Sequence, residues 1–84
     1  MRGSALSLDD GVLVGRSTEC DVTLADDPFV STKHARFFRS GDNWFVEDLG
    51  STNGTLVNAV RIGTAQILRV DDRVQTGSAV FEVH

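Results

Sequence analysis

Three short segments of the chain concentrate side chains that could bind an anion. The first is Gly15-Arg16, at the end of the apolar run GVLVG. An arginine placed just after the end of a strand has a guanidinium that is free to pair with a carboxylate or a phosphate. The planar guanidinium fork suits both groups. A surface arginine that pairs with Glu19 or Asp21 would explain the same residues. This segment alone therefore identifies no site.

The second segment is FVSTKHAR at residues 29–36, where hydroxyls and cations cluster in an otherwise acidic chain. Residues 31–39 contain three positive residues and no acid. Two adjacent hydroxyls at the end of a loop can donate to an anion beside Lys33 or Arg36. Capping of a local turn is the alternative role of both hydroxyls.

A serine nucleophile would be the enzymatic interpretation of this segment, with Ser31 attacking, His34 as base and Asp48 as orienter. Extended backbone sends residues three positions apart to opposite faces, so His34 would face the core while Ser31 faces outward. The sequence also lacks the strand–turn–helix elbow that exposes such a serine in hydrolases. We therefore expect no catalytic residue and predict that His34 is a buried, hydrogen-bonded histidine.

The third segment is DLGSTNGT at residues 48–55, in which two glycines bracket three small polar residues. The glycines can adopt positive φ and so expose backbone N–H groups, with the hydroxyls of Ser51 and Thr52, as an anion-binding nest. Asn53 has both a donor and an acceptor, as contact with a peptide backbone requires. The spacing is not that of a nucleotide-binding glycine-rich loop, and a plain connecting turn is the alternative.

Short apolar runs between turn-forming residues predict that these segments are carried by an all-β fold. Eight Gly and one Pro help to cut the apolar material into pieces too brief for amphipathic helices. Turn signals such as Asp71-Asp72 predict that consecutive strands pair as antiparallel hairpins of a two-sheet β-sandwich. Alternating residues such as Val12 and Val14 should meet in its core. The predicted strands are residues 5–8, 11–15, 21–24, 34–39, 43–48, 55–58, 66–70, 73–76 and 79–83.

Length, charge and cysteine content limit the function classes. Eighty-four residues can form one domain with one core, which we place at residues 5–84, because MRGS at residues 1–4 resembles a disordered vector leader. A formal charge of −4 argues against bulk nucleic-acid binding by counterion release. The single Cys20 cannot form an internal disulfide, which favours the cytoplasm, and no apolar run is long enough for a membrane span. With one cysteine, His34 and His84 are too few for a metal site, and no cofactor is expected.

Taken in order, the three segments, followed by Val57-Asn58, resemble the forkhead-associated (FHA) domain family over roughly residues 6–84. The resemblance implies a β-sandwich whose loops at one end bind a phosphothreonine peptide. It assigns the phosphate to Arg16 and Ser31, a further contact to Thr52, and the peptide main chain to Asn53. The implied phosphopeptide-binding residues are Arg16, Ser31, Thr32, Lys33, Thr52 and Asn53, and the implied loop-shaping residues are Gly15, His34, Gly54 and Asn58.

The resemblance implies a non-catalytic module whose partner is a threonine-phosphorylated protein, either a serine/threonine kinase or its substrate. Nucleic acid and membranes are not expected as partners. In the resembling family, peptide residues after the phosphothreonine meet the loop just before Ser31, which here presents Phe29 with Asp26 and Asp27 nearby. An apolar residue three places after the phosphothreonine should therefore be preferred over an acidic one. The alternative function is phosphate-independent assembly through an open sheet edge.

Two features depart from the family pattern. FHA domains usually have a further strand before residues 5–8, so the first edge strand is expected to be missing here. Either residues 1–8 bend back to pair with that edge, or a second copy donates a strand in a weak homodimer, which we favour. The second departure is Asn58-Ala59 where Asn-Gly is expected. Alanine disfavours the positive φ of a type I′ turn, so we expect a different turn there.

Overall fold

The structure, a computed structural model, describes residues 11–84, which form nine β-strands in two sheets. Glycines and turn-forming residues interrupt each apolar run before it reaches helical length, and no helix occurs in this part of the chain. The predicted two-sheet sandwich is thereby confirmed. The strands are β1 (Val12–Gly15), β2 (Val22–Thr23), β3 (Ala35–Ser40), β4 (Asn43–Asp48), β5 (Thr55–Val57), β6 (Val60–Arg61), β7 (Gln66–Leu68), β8 (Arg73–Thr76) and β9 (Ala79–Glu82).

One sheet has the order β2-β1-β3-β4-β7 and the other has the order β6-β5-β8-β9. The expectation that consecutive strands pair as antiparallel hairpins holds for β3–β4, β5–β6 and β8–β9. It is wrong for the other five consecutive pairs, including β1–β2 and β7–β8. Strands β1 and β2 are parallel, with Val14 opposite Val22, because the connection between them reverses the chain twice. Strands β7 and β8 lie in different sheets, since Leu68 and Val74 enter the core from opposite sides. Turn residues predict a reversal but not the sheet that the next strand joins.

The core lies between the two sheets, where the alternating positions of the strands meet. Val12 and Val14 are fully buried, as their two-residue spacing predicted, and Val74 of the opposite sheet is buried with them. The rings of Phe37 and Phe81 pack edge to face across the sandwich with centroids 5.6 Å apart. An edge-to-face aromatic pair of this kind stabilises the fold beyond the contribution of its buried apolar area.

The β5–β6 hairpin corrects the expectation for Asn58-Ala59. The two residues have φ values of 50° and 69°, so both central residues of the turn have the positive φ of a type I′ turn. The Asn58 backbone N–H donates to the Arg73 carbonyl at 2.8 Å, and its side chain bridges the Arg73 N–H and Asp72. These bonds hold the turn in a conformation that alanine disfavours. Strand β6, which the sequence analysis did not predict, follows directly.

Strand register brings the candidate segments to one end of the sandwich. Val14 pairs with Ala35, and Ala35 pairs with Asp48. The C-terminal end of β1, the N-terminal end of β3 and the C-terminal end of β4 therefore lie at the same end of this sheet. Thr55 begins the second sheet at this end, opposite Thr76. The predicted strand at residues 5–8, the leader at residues 1–4 and both arrangements of the missing edge lie outside the described residues.

Candidate functional site

The three segments surround a cleft of about 290 Å³ at this end of the sandwich. Arg16 follows β1 directly, and its backbone N–H donates to the Ser31 carbonyl at 3.1 Å. The Ser17 N–H donates in the same way to the Thr32 carbonyl at 3.2 Å. These bonds fix the backbone of Arg16, whose side chain remains exposed. The cleft is lined by Arg16, Pro28, Phe29, Val30, Ser31, Thr32, Thr52 and Asn53.

The hydroxyl of Ser31 connects the second and third segments. Its oxygen accepts a hydrogen bond from the Thr52 backbone N–H at 3.1 Å. A serine hydroxyl has one proton to donate and can accept more than one hydrogen bond, so this contact leaves the proton free for a ligand. The guanidinium of Arg16 and the side chain of Thr52 line the same cleft. A cation and hydroxyl groups therefore converge where an anion could enter.

Asn53 also lines the cleft. Its side-chain NH₂ donates to the Phe29 carbonyl at 2.9 Å, which links the loop after β4 to the loop before β3. The side-chain oxygen and the second N–H remain able to bind a peptide backbone. Phe29 itself is 56% exposed, so the rim of the cleft carries an apolar ring.

His34 lies beneath the cleft and is fully buried. Its Nδ1 accepts the Ser31 backbone N–H at 3.1 Å, which assigns the ring proton to Nε2. Nε2 then donates to the Gly54 carbonyl at 2.8 Å. Because Nδ1 is already occupied by a backbone donor, His34 is not arranged to accept the proton of the Ser31 hydroxyl. His34 therefore links the loop that contains Ser31 to the loop that contains Gly54.

Asp48 holds the loop at residues 50–54 in shape. One carboxylate oxygen accepts the backbone N–H groups of Gly50 and Ser51 at 3.1 and 3.0 Å. The other oxygen accepts the hydroxyls of Ser51 and Thr55. Burial raises the pKa of the Asp48 carboxyl, but the hydrogen bonds from Ser51 and Thr55 outweigh burial and leave the pKa below its ordinary value.

The structure corrects one expectation for this loop. The Ser51 hydroxyl is not displayed to a ligand, because the residue is buried and the hydroxyl donates to Asp48. Its oxygen accepts the Gly54 N–H at 2.9 Å. Gly50 and Gly54 do have positive φ, at 75° and 86°. Of the predicted nest, Thr52 reaches the cleft and Ser51 supports the loop from within.

The remaining singled-out residues lie outside the cleft lining. Lys33 is exposed beside it, whereas Asn58 sits in the β5–β6 turn at the other end of strand β5. Cys20 is buried, and its thiol donates to the Thr32 carbonyl at 3.3 Å. Burial raises the pKa of this thiol, although a backbone hydrogen bond from Ser17 and the charge of Lys33 oppose the rise.

Asp27 is a positioning residue whose role was not predicted from the sequence beyond its negative charge near the loop of Phe29. One of its carboxylate oxygens accepts the Phe29 N–H at 3.0 Å, and the other accepts the Ser78 N–H at 2.7 Å. It therefore ties the cleft rim to the β8–β9 turn. The signal available in the sequence was an aspartate two residues before a backbone donor, the spacing of an Asx turn.

Neither a metal cluster nor a membrane-spanning helix is found in residues 11–84. No three His, Cys, Asp or Glu side chains there converge closely enough to hold a metal ion. Nor does that part of the chain include a helix with the length and apolar character needed to cross a bilayer.

Comparison with known proteins identifies a family and relatives for this chain. The FHA domain family matches residues 12–77. The FHA domain-containing protein FhaB of Mycolicibacterium smegmatis is 38% identical over 84 residues, covering 99% of this chain and 54% of that protein. The chain thus spans about half the length of the curated relatives it matches.

Two solved structures have the same fold. The crystal structure of an FHA domain from Chlamydia trachomatis superimposes with a TM-score of 0.83 at 29% identity, covering 94% of this chain and 81% of that one. EmbR of Mycobacterium tuberculosis, solved in complex with a low-affinity phosphopeptide, gives a TM-score of 0.81 at 32% identity, covering 86% of this chain and 19% of that one. The family match, the relative and the two folds agree with the resemblance read from the sequence, and the chain belongs to the FHA domain family.

Proposed function

We propose that this domain binds threonine-phosphorylated proteins in the cleft between its three loops. The observation that carries the proposal is the Ser31–Thr52 hydrogen bond, which leaves the Ser31 hydroxyl proton free in the cleft that Arg16 also lines. A phosphate carries about −1.5 to −2 charges on three acceptor oxygens, which suits a cation surrounded by hydroxyls. EmbR, a structural relative, was solved with a phosphopeptide, which supports this assignment.

In this proposal each cleft residue has one role. Arg16 pairs with the phosphate through its guanidinium fork, and Ser31 donates its hydroxyl to a phosphate oxygen. Thr52 adds a further donor, and Thr32 and Lys33 supply a hydroxyl and a positive charge at the rim. Asn53 binds the main chain of the ligand with the side-chain groups that its bond to Phe29 leaves free. His34, Gly15 and Gly54 shape the loops.

The module is proposed to be non-catalytic and to act in the cytoplasm. The arrangement of His34 supports the first statement, since its Nδ1 accepts a backbone N–H and is not positioned to accept the proton of the Ser31 hydroxyl. The buried free thiol of Cys20 suits a reducing compartment. The partner would be a serine/threonine kinase or a substrate that such a kinase has phosphorylated.

The test is calorimetric titration with matched peptides that carry threonine or phosphothreonine at one position. We expect measurable binding only with the phosphopeptide, and competition by inorganic phosphate at high concentration. Equal binding of both peptides would overturn the proposal and would favour the alternative of phosphate-independent assembly. A random-sequence phosphothreonine peptide controls for nonspecific attraction of the phosphate.

A further inference from the structure

A second cleft, of about 540 Å³, opens between the outer strands β6 and β7 of the two sheets. Arg61 and Arg69 both line it, and we call it the arginine cleft. Two other arginines of the described chain are paired with acids, Arg36 with Glu47 and Arg73 with Glu82. Within residues 11–84, no carboxylate lies within 4.0 Å of the side-chain nitrogens of Arg61 or Arg69. The cleft therefore presents two cations of an acidic protein to solvent.

Asp72 is the acidic group of this cleft, and its two carboxylate oxygens are already engaged. One accepts the Asn58 side-chain NH₂ at 2.9 Å and the other accepts the Arg69 backbone N–H at 2.8 Å. The hydrogen bond from Asn58, and to a lesser extent that from the Arg69 backbone, lowers the pKa of Asp72. This carboxylate therefore stays ionised, and its negative charge partly offsets the positive charges of the two arginines. The three groups together leave a net positive charge.

Arg61 places the arginine cleft beside the proposed peptide site. A Cβ added at Gly54 would lie 2.5–3.0 Å from Nε, Cδ and Cζ of Arg61, so the arginine packs directly on this glycine. Gly54 follows Asn53, which we propose binds the ligand main chain. A peptide that extends past Asn53 on this side would meet the guanidinium of Arg61, which lines the same cleft as Arg69.

The surface on the other side of the phosphate cleft has the opposite charge. A neighbouring pocket of about 430 Å³ shares Pro28 with the phosphate cleft and is lined by Asp26 and Asp27. An acidic segment would be repelled there, because no cation from residues 11–84 lines that pocket. The phosphate site is therefore flanked by a cationic surface and an acidic surface, and a ligand of matching polarity fits it best.

We propose that the arginine cleft binds an acidic segment of the same phosphoprotein that occupies the phosphate site. The inference rests on the proposed function and adds a charge preference to the proposed ligand. Since residues after the phosphothreonine are expected at the loop of Phe29, the acidic segment is the one that precedes the phosphothreonine. Arg61 and Arg69 pair with its carboxylates, and Asp26 and Asp27 disfavour acids on the other side.

The experiment compares three phosphothreonine peptides of equal length. One carries Glu residues before the phosphothreonine, one carries them after it, and the third has Gln at all of these positions. We expect the first to bind about 2- to 10-fold more tightly than the third, as one or two solvent-exposed ion pairs allow. The gain should shrink as salt is raised. No gain from preceding Glu, or an equal gain from Glu on both sides, would overturn the inference.

Variants then test whether the two arginines cause the gain. Arg61→Gln with Arg69→Gln should abolish it, and Arg61→Lys should retain a part because the charge is kept. Arg39→Gln is the matched control, since Arg39 is exposed and its Nε donates to Gly41 in the β3–β4 turn at the far end. It should leave the gain intact, and a gain that survives the double variant contradicts the inference.

Unphosphorylated versions of the peptides separate the two proposals. If threonine and phosphothreonine peptides with Gln flanks bind equally, the proposed function fails. The difference between Glu-flanked and Gln-flanked peptides still reports on Arg61 and Arg69 in that case. If phosphate is required but preceding Glu residues add nothing, only the arginine cleft is excluded. Melting temperatures of the variants verify that each remains folded.

Discussion

Gly15 and Thr32 are packed so closely that a side chain at position 15 would collide with the Thr32 carbonyl oxygen. The added Cβ would also lie 2.9 Å from the Cys20 sulfur, which itself bonds to that carbonyl. The requirement for glycine here is one of space and not of positive φ. The contact seats the Ser31–Lys33 segment against the end of β1, next to Arg16.

Gly15→Ala should destabilise the domain and weaken phosphopeptide binding together. Overpacking of this kind costs about 1–3 kcal/mol, and relief requires the Thr32 backbone to move. Gly63→Ala is the matched control, because a Cβ at Gly63 meets nothing within 4 Å. Urea unfolding and calorimetry measure the two effects. Equal stability of the two variants would contradict the packing argument.

Arg16→Ala should weaken phosphopeptide binding by roughly 10- to 150-fold, which corresponds to the ~1.5–3 kcal/mol of a charge-assisted hydrogen bond. Arg16→Lys should recover only a part, since it keeps the charge but loses the fork. Arg39→Ala serves as a control for the loss of one exposed positive charge. Calorimetry on the folded variants measures the phosphopeptide affinity. Wild-type affinity in Arg16→Ala would show that Arg16 does not contact the phosphate.

Replacement of phosphothreonine by Glu or Asp in the peptide should not restore binding. A carboxylate has one charge on two oxygens, whereas phosphate has about −1.5 to −2 on three. Phosphoserine should bind more weakly than phosphothreonine by about 4-fold if the threonine methyl is buried, at ~0.8 kcal/mol per methyl. Competition titrations measure both ratios. Equal binding of phosphoserine would show that the methyl group is not recognised.

Asp48→Asn should destabilise the domain near neutral pH and much less in acid. The amide cannot accept both backbone N–H groups and both hydroxyls, which costs about 1–3 kcal/mol when those donors lose their partner. Because the pKa of Asp48 is lowered on folding, the folded state binds fewer protons than the unfolded state does. Its stabilisation is full above the unfolded pKa of about 3.9 and is lost as the pH falls through the folded pKa.

The pH dependence is measured by urea unfolding of wild type and Asp48→Asn between about pH 2 and pH 7. The stability difference should shrink below about pH 4. Asp42→Asn, an exposed residue of the β3–β4 turn, controls for the change in net charge. A difference that stays constant across the range would show that ionised Asp48 does not hold the loop.

Ala59→Gly should stabilise the domain by about 0.5–1 kcal/mol. Left-handed backbone costs a residue with a Cβ about 1–2 kcal/mol, part of which is offset by the greater unfolded-state entropy of glycine. Ala59 has a φ of 69°, whereas Ala65 is exposed and does not have positive φ. Ala65→Gly should therefore destabilise slightly. Thermal unfolding that ranks the two variants in the opposite order would refute the strain at Ala59.

The order and spacing of local segments were sufficient to predict the fold class and to single out five residues that the structure places at the cleft, namely Arg16, Ser31, Thr32, Thr52 and Asn53. Hairpin signals and two-residue alternation are properties of neighbouring residues, so the strands other than β6 and the buried Val12 and Val14 followed from the sequence. The Gly15-Arg16, Ser31-Thr32 and Thr52-Asn53 pairs were singled out in the same way. Their family pattern then implied a shared site.

Tertiary structure decided the features that depend on partners distant in the chain. The parallel pairing of β1 and β2 and the change of sheet after β7 depend on which edge is available, which no local run encodes. Ala59 adopts positive φ because bonds from Asn58 to Asp72 and Arg73 fix its turn. Likewise, Arg61 packs against Gly54, next to the Asn53 of the proposed peptide site, because the glycine leaves space for it. A sequence reports what each residue can do, and the packed sandwich determines which groups it meets.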